Sequence, residues 1–163
     1  VVTGRVVASQ GNSIDVEIGQ TWRGKTYQSQ IRVWLNSGQL CRPEIDQFPL
    51  QSSWVMALDR IDEQVPGGFN PSTPNISYGR VGDYSLSSCG GYWLSLHDDV
   101  VTGNLAGGTR WEHNPKMSPV LSELVADFVA GEIVVDALKV ASKVEPEVQR
   151  LQLETRSFLR QQR

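Results

Sequence analysis

The chain has 163 residues, of which 39% are hydrophobic and 20% charged, a balance that suits one globular domain of ordinary size, or one domain with an appendage, and a core that needs no staples. A net charge of −3 and a pI near 5.4 give no general attraction to phosphate backbones, so nucleic acid is not an expected partner. No apolar run approaches the roughly 18 residues of a membrane span. The opening Val1-Val2-Thr3-Gly4-Arg5 lacks the apolar core of a signal peptide and begins without Met, which raises the expectation that a leader has been removed or that this is a mature N-terminus.

In chain order, the first hundred or so residues read as strands. Val6 and Ala8, then Ile14, Val16 and Ile18 beyond the Gln10-Gly11-Asn12 turn, then Ile31, Val33 and Leu35 before Asn36-Ser37-Gly38 alternate with polar residues, as half-buried antiparallel sheet does. Trp54-Val55-Met56-Ala57-Leu58 is apolar on both faces, as a covered central strand would be. Pro66, Gly67, Gly68, Pro71, Pro74, Gly79 and Gly82 then predict a long irregular loop over 63–83. Strand character resumes at Tyr84-Ser85-Leu86 and Tyr92-Trp93-Leu94-Ser95-Leu96, with a bulge or corner at Gly90-Gly91.

Beyond Gly107-Gly108 the period becomes helical. Ser118-Pro119 reads as N-cap and first helical position, Leu121, Leu124, Val125, Phe128 and Val129 share a face, and Gly131 breaks or bends the helix before Ile133–Val140 continues it. A last helix starts near Glu145-Pro146 and carries a narrow stripe of Val148, Leu151, Thr155, Phe158 and Leu159 among Arg and Glu residues. Such a stripe needs a cover, and pairing with the same helix of a second chain over 145–162 is one candidate. Short strands followed by helices, without alternation, predict a mainly β fold: a five-stranded antiparallel OB-type barrel over about 1–105, then a loop and helical appendage over 106–163.

Several landmarks in this order resemble a known module. Gly4-x-Val6, the valine-rich hairpin, Trp22-Arg23-Gly24-Lys25, the Ile31/Val33 strand, Cys41, the Trp54–Leu58 strand and Leu86-x-x-Cys89-Gly90 are similar to the netrin-like OB-fold module shared with tissue inhibitors of metalloproteinases and with bacterial relatives. Read without the resemblance, Cys41 and Cys89 are as readily two buried thiols as a disulfide, and with no C-x-x-C pair a zinc ribbon is unexpected. With it, they match two family cysteines, and a disulfide and an oxidising compartment are implied. The family's inhibitors open on Cys-x-Cys, which places the α-amino group on the target's zinc, whereas this chain opens Val1-Val2-Thr3; either the inhibitory activity is not shared, or the cysteines preceded Val1 and were trimmed.

The candidate sites are few. His97, Asp98 and Asp99, with His113 further on, hold ordinary metal-ligand types without a ligand spacing, so no metal is expected and a solvated strand end is the plainer reading. A Ser-His-Asp set lacks any nucleophile elbow, and the glycine pairs lack the context of a phosphate loop. Of five tryptophans, Trp54 is expected in the core, while Trp22 beside Arg23 and Lys25, Trp34 out of phase with Ile31, Val33 and Leu35, and Trp111 in a loop either pack under the long loop or against the C-terminal helices, the plainer reading, or form a candidate binding surface. The expected function is therefore a non-enzymatic, cofactor-free, extracytoplasmic module, secreted, periplasmic or lipid-anchored, that binds or inhibits another protein. Its rivals are a metal-dependent or hydrolytic enzyme at His97, Asp98, Asp99 and His113, and a structural subunit assembling through the last helix.

Overall fold

The computed structural model describes residues 1–69, 76–89, 92–103 and 119–162. They divide into two units, Val1–Trp93 and Leu94–Arg163.

In the first unit, β1 (Val2–Gln10) and β2 (Ser13–Thr21) form a hairpin through Gly11-Asn12, where Gly11 takes φ 60°, the left-handed region that glycine enters without a Cβ penalty. β3 (Gln30–Trp34) adds antiparallel to β2, and β4 (Ser53–Met56) adds antiparallel to the other side of β1. Cross-strand charges fix the register: Arg32 lies opposite Asp15 and donates to both of its carboxylate oxygens, at 2.8 and 3.0 Å, and Arg5 lies opposite Glu17 at 2.7 Å. Gly4 has no room for a side chain, since a Cβ there would stand 2.4 Å from Val16 Cγ1 and 2.8 Å from the Glu17 carbonyl oxygen. The register shifts at Thr3/Gly4 and at Val6/Ala8, and such irregularities bend and coil a strand.

Two shorter strands complete this unit. β5 (Asp59–Arg60) pairs antiparallel with β6 (Tyr84–Ser85), and β6 pairs parallel with β3. The resulting order is β5-β6-β3-β2-β1-β4. Its end strands, β4 and β5, are separated in the chain by Ala57 and Leu58 alone, so they lie within about three residues' reach, roughly 10 Å, and the sheet must curl. Val2, Val6, Ile14, Val16, Ile31, Val33, Leu35, Phe48, Met56 and Leu86 fill its inside. Trp54 packs partly buried against this core, edge-on to Phe48 with centroids 4.9 Å apart.

In the second unit, β7 (Trp93–His97) turns through Asp98-Asp99 into β8 (Val100–Thr102), and β9 (Val120–Leu121) pairs antiparallel with β8. α1 (Ser122–Ala130) ends at Gly131, whose φ of 85° forms a left-handed cap; α2 (Val135–Ala141) and α3 (Pro146–Gln161) come after it. One side chain knits these pieces together. The buried Gln149 amide accepts from the Leu121 N–H at 3.1 Å, and its nitrogen faces the carbonyls of Pro119, Ala141 and Val144 at 2.7–3.0 Å.

A mainly β chain ending in helices is what the patterning predicts, but the five-stranded closed antiparallel barrel is not what forms. Among the described residues, the first unit holds six strands in an open order that includes the parallel pairing of β3 with β6, and the second holds the short β7-β8-β9 set. The run Trp54–Leu58 breaks at Ala57-Leu58 into strands on opposite ends of the order, and β5, β8 and β9 have only two or three residues each, too few to display a period. Ser118 lies outside the described residues. Beyond it the chain enters β9 before any helix, and α1 begins only at Ser122.

Candidate functional site

The connection from β2 to β3 builds one wall of a groove of about 490 Å³. Its start is tied down by the Trp22 and Arg23 amides, which donate to the Val1 carbonyl at 2.9 and 3.2 Å, and its end by the Ile18 amide, which donates to the Ser29 carbonyl at 2.8 Å. Gly24, at φ 86°, turns the chain between them with nothing around it. The strip so held presents Arg23, Lys25 and Tyr27, and Tyr27 is 92% exposed. β5 and β6 supply the facing wall through Arg60 and Tyr84, and Val2, Ile31 and Leu58 give the groove apolar surface. Among the described residues, none that lines it is acidic. Arg60 stands 3.6 Å from Asp62, both largely exposed, a geometry in which an ion pair contributes little.

The sequence-predicted residues fall in several places. Arg23 and Lys25 line the groove; Trp22, half-buried beside them, donates its indole N–H to Gln20 Oε1 at 3.1 Å. Trp34 is not on the surface, contrary to its alternation: it is 2% exposed. Its outer face is covered by the long loop, with the indole N–H donating to Asp83 Oδ2 at 2.8 Å, the Arg80 guanidinium 5.8 Å from the ring centre, and Gly79 against it so closely that a Cβ would stand 3.2 Å from the ring. Trp111 and His113 lie outside the described residues.

Around the predicted metal candidates, His97 closes β7 with Nε2 3.2 Å from Ser95 Oγ, both exposed to solvent, and Asp98 sits at the hairpin tip with φ 53°. Asp99 is held by Arg150 at 2.7 Å, and that hydrogen bond keeps its carboxyl below the ordinary carboxylate range. Among the described residues, no three His, Cys, Asp or Glu side chains converge on a metal position. Cys41, exposed, and Cys89, half-buried, are both thiols in this structure. Their segments adjoin, since the Ser88 amide donates to the Cys41 carbonyl at 2.9 Å.

Tyr27, Arg60 and Tyr84 are not candidates on sequence grounds. Tyr27 is within reach of such reasoning, as a lone aromatic in the polar strip just past Trp22-Arg23-Gly24-Lys25. Arg60 and Tyr84 come together only through the β5–β6 pairing, which two-residue strands do not announce.

No protein-family model, curated protein or solved structure matches the chain. The functional reading therefore rests on the groove and its chemistry, because a fold by itself does not specify a function.

Proposed function

We propose that the first unit is an extracytoplasmic, non-enzymatic protein-binding module, an OB-type relative of the netrin-like modules, and that it takes its partner in the groove between the 22–29 connection and the β5–β6 pair. The observation that carries this reading is the composition of the groove. Tyr and Arg are the residue types that dominate protein interfaces, because each offers a large contact area together with a directed polar end. Here an almost fully exposed tyrosine stands with two arginines and a lysine around a concave surface that also has apolar contacts to offer. Supporting the OB-type assignment is the continuity of β4 and β5: taken as one strand broken at Ala57-Leu58, they leave five strands curling into a partly open barrel. The segments of Cys41 and Cys89, both thiols in this structure, adjoin, and an oxidising compartment is where such a pair would close into a disulfide.

Affinity capture from a native envelope or secreted extract tests the reading when the full chain and its Tyr27→Ala variant are compared side by side. A protein retained by the first and lost from the second is the expected result. Identical captured sets from the two would defeat the proposal.

A further inference from the structure

The geometry points to an acidic peptide segment, carboxylates interspersed with aromatic or aliphatic side chains, as the occupant of this groove. The inference rests on the protein-binding reading and adds the chemistry of the partner. Its first ground is the local charge. Arg23, Lys25 and Arg60 lie around one concavity whose lining, among the described residues, includes no Asp or Glu, in a chain whose net charge is −3. The basic groove is therefore a local inversion of the protein's overall sign. Outside it, the other arginines of the same unit have partners within it: Arg5 pairs with Glu17 at 2.7 Å and Arg32 with Asp15 at 2.8 Å, Arg42 donates to the Tyr78 carbonyl at 2.7 Å, and Arg80 lies over the Trp34 ring. Among the described residues, Arg60 is the one groove cation with a carboxylate at ion-pair distance, Asp62 at a loose 3.6 Å.

The second ground is that the groove is not uniformly polar. Leu58, Tyr27 and Tyr84, with the largely buried Ile31, line it together with the cations, so a ligand that brings only charge leaves that apolar surface wet. A carboxylate-bearing segment with apolar side chains between the acids satisfies both parts, since guanidinium groups recognise carboxylates in a planar, directed way. Single-stranded nucleic acid also pairs cations with aromatic rings. It fits less well, because a strand is followed by an extended track of cations against many phosphates, and here three cations surround one groove of about 490 Å³.

A random peptide library displayed on phage and panned on the full chain tests this without assuming a sequence. Enriched peptides are then measured by fluorescence anisotropy against the wild type, Arg23→Glu/Lys25→Glu, Lys25→Gln and Tyr27→Ala, each first checked for an unchanged thermal unfolding midpoint. The expected result is enrichment of Asp and Glu among apolar residues, binding that weakens with added salt, at least a tenfold loss in the charge-reversed variant, a smaller loss in Lys25→Gln, and a loss in Tyr27→Ala. Enriched peptides without an acidic excess whose binding still disappears in Tyr27→Ala would overturn the acidic partner and leave the protein-binding groove standing. Failure to enrich any peptide, or binding indifferent to every variant, would overturn both. An oligothymidylate that displaces the selected peptides at lower concentration than they bind would overturn the inference in favour of nucleic acid.

Discussion

Asn12 shows how much of this molecule depends on single polar side chains. It sits buried at the β1–β2 turn, donates from Nδ2 to the carbonyls of Leu35 at 3.0 Å and Ser77 at 2.8 Å, and accepts from the Ser77 amide at 2.9 Å. It thus ties residue 77, at the far end of the long loop, to the first hairpin. Asn12→Ala leaves these buried groups without partners, at about 1–3 kcal/mol for each group so stranded; a loss of about 3 kcal/mol in urea unfolding is the expected outcome, and a loss below about 1 kcal/mol would mean that the loop is held elsewhere. The cysteines make the second prediction at this scale. Cys41 and Cys89 are thiols in this structure; if they pair in the proposed oxidising compartment, protein purified from it should show no titratable thiol when denatured without reductant, and reduction should lower stability by about 2–5 kcal/mol. Two thiols per chain in that assay would remove the disulfide and most of the case for an extracytoplasmic home.

At the scale of elements, legibility tracks length and alternation. β1, β2 and β3 are readable because a buried inner face alternates with an outer face carrying Arg5, Asp15, Glu17 and Arg32, and α3 because Glu145-Pro146 starts it and its apolar residues recur at helical spacing. Alternation misplaces Trp34 because it reports which face a side chain occupies and is silent about what covers that face; the long loop does so here, through Asp83, Arg80 and Gly79. The α3 stripe is legible and is left open: Val148, Leu151, Phe158 and Leu159 are 43%, 62%, 58% and 56% exposed. Isolated helices of this length are marginal in water. If α3 pairs with its counterpart in a second chain, light scattering should report a dimer or larger species for the wild type and a shift toward monomer in Leu151→Glu with the strands intact. A wild type that stays monomeric at high micromolar concentration refutes that pairing.

For the molecule as a whole, the labour is divided between a curled sheet, with its own core and a basic, aromatic groove, and a second unit knitted by Gln149 around β9, α2 and α3. Half of the groove is visible in the sequence, as Trp22-Arg23-Gly24-Lys25, and half is not. Arg60 and Tyr84 are 24 residues apart in sequence and become neighbours only because two short strands pair in register. Whether a partner protein sits in the groove can be read by incorporating a photo-crosslinking phenylalanine analogue at position 27 of the full chain, in its native compartment, with the same analogue at the exposed Asp46 position as control. A covalent adduct with a distinct protein from position 27 and none from position 46 is the outcome predicted for a protein-binding groove. The same adducts from both positions, or none from position 27, would contradict it.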